Sequence, residues 1–197
     1  DAAKRPAIGS IPAAFDGARR NCAPVNGYFL VSHARYTPDP MENGPLVYGL
    51  LAALAIALLH AAYTDIKRRE IEDWLNAVIA LAAPVFWWAC GLSFWPDMAL
   101  QLALGAGVFV FFALMFAIGA MGGGDVKLLG AIALWFPWTE MARITIIMSL
   151  IGAALTLIVL AEHKWKKKPG QPEVPYGVAI AMATLWPVGE RFFNQFA

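Results

Sequence analysis

Apolar runs long enough to cross a bilayer dominate the chain from Pro45 onward, and any fold must place each of them in lipid or in a buried core. A helix needs about 20 predominantly apolar residues to cross the hydrocarbon layer. Pro45 to Tyr63, Met98 to Met121 and Met141 to Ala161 meet that requirement and are read as the first, third and fifth spans. Trp74 to Leu92 is read as the second, with Pro84 an interior kink of the kind neighbouring helices tolerate. Tyr176 to Phe193 is the sixth. Val126 to Trp138 falls short, being interrupted by Pro137 and Glu140, which predicts a short or partly buried fourth helix. The expected fold is all-α: a polytopic integral membrane helix bundle of about six transmembrane helices. An apolar content of 59% with only 15% charged residues fits that class and excludes an ordinary soluble domain.

Residues 1–40 differ from the rest, with scattered charges, several prolines and no sustained apolar run. They are expected to form a non-native or disordered N-terminal extension, with Met41 the natural start and 41–197 the membrane-embedded domain. They lack the features of a secretory signal. Cys22 and Cys90 stand far apart without a CxxC pairing, so no metal site or disulfide framework is expected, and Cys90 reads as a small apolar helix residue. A net charge of +1 carries no nucleic-acid signature.

Lysine and arginine set the expected orientation. Lys67, Arg68 and Arg69 follow the first span, Lys127 the third, and Lys164, Lys166, Lys167 and Lys168 the fifth. Six crossings put these loops on one side, predicted to be the cytoplasm, leaving Arg143 and Arg191 towards the other. Trp87, Trp88, Trp95, Trp135, Trp138 and Trp186 are read as interfacial aromatics near helix ends. His163 and the lysines after it read as an anchor against anionic lipid. Gly105 and Gly107, with Ala103, read as a close-packing face of the third span.

Among the acidic residues, Glu70, Glu72 and Asp73 belong to a charged loop, while Asp97, Glu140 and Glu190 fall at the outer boundary, as solvated groups usually do. Asp65 and Asp125 differ: each ends or begins an apolar segment, and counting crossings delivers both to the same face. Two facing, desolvated carboxylates resolve their repulsion by sharing a proton, leaving one acid and one base. Such a pair suits hydrolysis, the ionised member activating water and the protonated one polarising a carbonyl. Gly122, Gly123 and Gly124 before Asp125 permit unusual turns and close approach of a substrate backbone. Equally, a glycine linker followed by an aspartate can simply join two helices and favour the dipole of the second. Lys127 is expected to lower the Asp125 pKa or to contact substrate. His60 reads as a hydrogen-bonded structural residue, with tuning of the pair as the alternative.

The stretch Gly122-Gly123-Gly124-Asp125 resembles the GxGD signature of intramembrane aspartic proteases, and MGGGDVKLLGAIALW resembles its form in the type IV prepilin peptidases. Asp65-Ile66-Lys67-Arg68-Arg69-Glu70-Ile71-Glu72-Asp73-Trp74-Leu75 is similar to that family's first-aspartate pattern, with Glu72 where proline is common. Pro175-Tyr176-Gly177 resembles its P-(Y/F)-G element. The resemblance implies that Asp65 and Asp125 are catalytic, and that the chain removes the basic leader of prepilins at the cytoplasmic face of the inner membrane. Without the paired CxxC insert, it resembles the short, peptidase-only form of the tight-adherence or Flp pilus type. Methyltransferase activity, S-adenosylmethionine and any other cofactor are then not expected, and the partners are prepilins and the lipid bilayer. The Glu70 to Asp73 loop would attract a basic leader. A small transporter, with the aspartates holding a cation at broken helices, and a non-catalytic subunit of a pilus assembly are the competing readings.

Overall fold

A computed structural model describes residues 44–166 and 174–196. The extension 1–40, with Cys22, and the positions Met41, Lys167, Lys168 and Glu173 lie outside the described residues. The expected helical bundle is what forms: six α-helices and, among the described residues, no strand. In chain order they are α1 Gly44–Arg68, α2 Asp73–Ala89, α3 Ala99–Ala117, α4 Gly123–Ala133, α5 Trp138–Lys166 and α6 Tyr176–Phe196, with a π-helical turn Phe94–Met98 leading into α3. Three segments are long and apolar enough to cross a membrane, Pro45–Arg68, Phe94–Ala117 and Trp138–Lys166. They are the first, third and fifth spans of the sequence reading. Their outward faces carry residues such as Ile56, Leu150 and Leu157, at 60–70% exposure suited to lipid contact.

The centre of the bundle is the short fourth helix. From Val126 to Ala133 every residue of α4 except Lys127 is buried, and α2, α3 and α6 all pack on it. An 11-residue helix is about 16 Å long, so its C-terminal carbonyls end inside protein and need donors. Side chains supply them. Gln101 Nε2 donates to the Ala133 and Phe136 oxygens at 2.8 and 2.7 Å, and Trp87 Nε1 donates to the Leu134 oxygen at 2.7 Å. Trp135 Nε1 returns a bond to the Ile79 oxygen at 2.9 Å. Trp87 and Trp135 are therefore core residues that tie α2 to α4, not interfacial aromatics. Both are nearly fully buried, whereas Trp88, Trp95, Trp138 and Trp186 are exposed.

Small residues set the spacing of α3 and α4. A Cβ on Gly105 would run into the Leu134 side chain, and one on Gly130 would meet Phe109 at 3.0 Å. Gly107 faces open space, so only half of the expected glycine pair packs against a helix. Cys90 is buried at the end of α2, as the sequence suggested.

The helix boundaries shift around the two aspartates. α1 continues to Arg68, so Asp65, Lys67 and Arg68 occupy its last turns instead of a loop. Basic residues favour the negative end of a helix dipole, and Lys67 extends over the Tyr63 ring, 4.8 Å from its centroid. The chain turns at Arg69, with φ of 57°. α4 begins at Gly123, which draws Asp125 into its first turn.

Candidate active site

Asp65 and Asp125 come together at one end of the bundle, where α1, α3 and α5 end and α2, α4 and α6 begin. Both line a cavity of about 1030 Å³, together with the Arg68–Asp73 loop and the Gly119–Gly124 turn. They are only 6% and 9% exposed. Among the described residues neither makes an ion pair, although Arg68, Arg69 and Lys127 stand on the same end.

Asp65 is held by the first turn of α6. The Val178 N–H donates to its Oδ2 at 3.2 Å, and the Gly177 N–H also points at the carboxylate. Free N–H groups at a helix start are a natural seat for negative charge. Gly177 is required by contact: a Cβ there would lie 2.9 Å from Asp65 Oδ2 and 2.9 Å from Ile71 Cδ1. Tyr176 fixes the turn by packing its ring on Gly152, where a Cβ would approach Tyr176 Cε1 to 3.0 Å. The Pro175-Tyr176-Gly177 element is thus the carboxylate's cradle, a role the sequence reading did not assign to it.

Asp125 is the third residue of α4, after an N-cap at Gly122. Its carboxylate folds back over the cap, in the manner of the acidic partner of a capping box, and the Gly122 N–H favours its charge. Burial outweighs that contact, and the neighbouring Asp65 charge adds to it, so the Asp125 pKa is pushed up to about 7. Asp125 therefore holds its proton far above the ordinary carboxylate range, up to near neutral pH, and the two carboxylates are inequivalent.

The glycine triplet works differently from its expected role. Gly122 is extended with φ of −73° and ψ of 145°, and Gly123 and Gly124 are helical, so none needs the left-handed region. That conformation falls at Gly119, with φ of 74°, where α3 ends and its trailing N–H groups bond back to Phe116 and Met115. The space left by the triplet's missing side chains is taken by the protein itself. A Cβ on Gly122 would meet Asp125 Oδ2 at 3.0 Å, one on Gly123 the Phe116 ring at 3.4 Å, and one on Gly124 Ile71 Cβ at 3.3 Å. Ile71 is consequently the wedge of the site, touching Gly124 on one side and Gly177 on the other. The isoleucine of the first-aspartate pattern was the signal that could have found it.

Lys127 points away from Asp125. Its Nζ lies 2.7 Å from Asp73 Oδ1, an ion pair joining α4 to α2, and it is not among the charges acting on Asp125. Helical spacing explains this, since residues two apart project on different faces. Glu72 is engaged by Arg68 at 3.4 Å and lies 3.7 Å from His60, whose ring also sits beside Trp74. His60 thus contacts the loop and not the aspartates. Glu70 keeps no partner among the described residues. No group of three or more His, Cys, Asp or Glu side chains converges as metal ligands among the described residues.

Residues 52–157, more than half of the chain, match the type IV leader peptidase family, and the chain belongs to it. It is similar to a "Prepilin leader peptidase/N-methyltransferase" of Burkholderia pseudomallei (strain 1026b), 25% identical across 78% of this chain and 55% of the relative. A protein of the same description from Aeromonas hydrophila is 29% identical across 69% of this chain and 48% of its own length. The chain thus spans about half the length of the curated relatives it matches. No solved structure matches it.

Proposed function

We propose that the chain is a membrane aspartic endopeptidase that removes the basic leader of prepilin-like proteins of the Flp type at the cytoplasmic face of the inner membrane. The observation carrying this reading is the pair itself: two buried carboxylates without a direct ion pair among the described residues, inequivalent in environment, on one open cavity. The basic residues gathered at that end support a cytoplasmic orientation. Prepilins and lipid are the proposed partners, and the peptide hydrolysis needs no cofactor.

In the proposed reaction Asp65, cradled by N–H donors, is the base, and Asp125 is the acid. Asp65 takes a proton from water, whose oxygen bonds to the scissile carbonyl carbon while Asp125 gives its proton to the carbonyl oxygen. Asp65 then passes its proton to the amide nitrogen and the C–N bond breaks. As the new carboxylic acid forms, its hydroxyl returns a proton to Asp125, restoring the starting state. Of the acidic loop, Glu70 is the member left to meet a basic leader, since Asp73 and Glu72 are engaged. Glu70→Lys should raise KM for prepilin several-fold, and an unchanged KM would discard that role.

Asp65→Asn and Asp125→Asn, assayed in membranes with a purified prepilin, decide the reading. Each should abolish detectable cleavage while the protein still accumulates and folds, and full cleavage by either variant removes the mechanism. A transporter would instead need its acids at broken helices near the bilayer centre, whereas these sit in the last turns of α1 and the first of α4. A non-catalytic subunit would process no prepilin in wild-type form.

A further inference from the structure

Three helices of the bundle are followed by a residue with left-handed backbone. After α2 it is Gly91, with φ of 69°, and after α3 it is Gly119, with φ of 74°, glycine being the residue that enters this region without a steric penalty. After α1 it is Arg69, with φ of 57°, the only non-glycine so placed among the described residues. The turn itself does not ask for an arginine. Its backbone N–H bonds to the Asp65 oxygen at 3.0 Å, a contact open to any residue but proline. A strained position that keeps a long side chain beside two buried acids points to what that side chain meets.

Arg69 lines the cavity that holds Asp65 and Asp125. Its guanidinium makes no ion pair or hydrogen bond among the described residues, whereas its neighbours are committed: Arg68 to Glu72, Lys127 to Asp73, and Lys67 over the Tyr63 ring. The Arg69 charge acts on Asp65, and those of Arg68 and Lys127 do not. It therefore stands on the Asp65 side of the cavity without being bound there. The wall around it is otherwise acidic, with Asp65, Glu70, Glu72, Asp73 and Asp125 set against two arginines, one of them already paired. An uncommitted guanidinium in such a wall is a seat for an anion that arrives.

We infer that Arg69 binds the carboxylate at the new C-terminus of the released leader and so lays the leader along residues 69–72. The inference rests on the peptidase reading and extends it to the product and to the direction in which the substrate crosses the pair. Hydrolysis turns a neutral amide into an acid. In the reaction above, the hydroxyl of that acid returns its proton to Asp125 and Asp65 has already given its own to the amine, so the leader ends in an anion beside an ionised aspartate. This repulsion arises only once the C–N bond is broken, and Arg69 is the cation free to offset it. Its planar fork matches two carboxylate oxygens, which the uncleaved amide does not offer. Glu70, the next residue, then faces the basic side chains of the same leader, and the helix after the scissile bond leaves on the other side of the pair. Arg69 is a product-binding residue, and the reacting atoms are left to Asp65 and Asp125.

The test uses the full chain in nanodiscs of neutral phosphatidylcholine near neutral pH. Fluorescent leader peptides ending in a free carboxylate or in a carboxamide are titrated, with binding read by anisotropy. Wild type should hold the carboxylate form about tenfold more tightly, the worth of a charge-assisted contact, and Arg69→Gln should bring the two within about twofold. Lys127→Gln, which removes another cation of the same end, should keep the gap. Arg69→Gly should lose the gap without lowering Tm, because glycine relieves the left-handed turn. Equal affinity of wild type for both peptides, a gap that survives Arg69→Gln, a gap erased equally by Lys127→Gln, or a fall of several degrees in the Tm of Arg69→Gly would overturn the assignment. So would Arg69-dependent enrichment of anionic lipid in mixed nanodiscs with no preference for the carboxylate peptide, which would give the guanidinium to a lipid headgroup. Cleavage of intact prepilin is scored separately. Cleavage without a carboxylate preference sinks this inference alone, and an Arg69-dependent preference without cleavage sinks the peptidase reading while the anion seat stands.

Discussion

The two ends of the bundle each gather carboxylates, and they treat them in opposite ways. At the far end, Arg143 binds Glu190 through two hydrogen bonds of 3.1 Å and lies 3.8 Å from Glu140, while Trp186 Nε1 donates to Glu190 at 2.7 Å. Arg191 stacks its guanidinium 5.0 Å from the Phe136 ring centroid. Arg143 thus compensates both Glu190 and Glu140, as the centre of a structural ion cluster does. At the near end, Asp65 and Asp125 are more deeply buried and neither is ion-paired: Arg68 and Lys127 are turned to Glu72 and Asp73, and the Arg69 charge acts on Asp65 without a direct ion pair. Burying acids without cations is costly unless a proton is kept, and Asp125 keeps one. Acid content alone does not distinguish the two ends; whether the buried acids are ion-paired does.

The sharpest way to break that comparison is to remove charge capacity at each end in turn. Asp65→Asn or Asp125→Asn should cost about 10²–10⁴-fold or more in kcat against prepilin, whereas Glu190→Gln should leave kcat within twofold. Equal losses from all three, measured in purified and folded protein, would erase the distinction between the ends. Next in size is Gly177→Ala, which presses a methyl against both Asp65 Oδ2 and Ile71 Cδ1. Displacing a catalytic group by about 1 Å can cost about 10²-fold, so a fall in kcat of tens-fold with little change in KM is expected. A variant as active as wild type would show that the α6 cradle does not position Asp65.

Much of this arrangement is legible in the sequence, and the unread parts share one cause. The six helical segments, the membrane-spanning character of the long apolar runs and the meeting of Asp65 with Asp125 follow from run length and the parity of crossings, which depend only on residue order. Partner choice does not. Lys127 lies two positions from Asp125, but helical geometry turns it to Asp73, and nothing local marks which acid it meets. Trp87 and Trp135 carry interfacial chemistry, yet the buried carbonyls at the end of α4 recruit one indole N–H and the Ile79 carbonyl the other. The glycine triplet announces a close approach without saying to what; Ile71, drawn from a loop distant in sequence, answers for Gly124. Gly177 was readable only as part of a resemblance, because its reason is a carboxylate on the first helix.

Proton retention at Asp125 gives the next largest effect. With its pKa near 7 in the fold and 3.8 as the ordinary value, the folded protein binds more protons than the unfolded chain between those limits. Stability should accordingly fall as pH rises through that window and level off above about 7. Activity should follow the same group: above about pH 7 loss of the acid's proton lowers kcat by about tenfold per pH unit. Asp125→Asn should flatten the decline in Tm between pH 4 and 7 relative to wild type. A variant with an unchanged slope would assign the retained proton elsewhere.

The smallest effect should come from dismantling the compensated end. Arg143 and Glu190 are each more than two-fifths exposed, so solvent screens their attraction and the pair is worth about 0.2–1 kcal/mol despite its two-point geometry. Arg143→Met keeps the aliphatic stem against its neighbours and should lower Tm by a few degrees at most, while kcat and KM for prepilin stay within twofold. Adding Glu190→Gln to Arg143→Met should recover part of that loss, because the second change removes the carboxylate left without its cation. Near-additive losses would mean that Glu190 is held mainly by Trp186. A large fall in activity from Arg143→Met with Tm intact would be the more damaging result, since it would couple the far end to the chemistry and undo the separation between a compensated cluster and a reactive one.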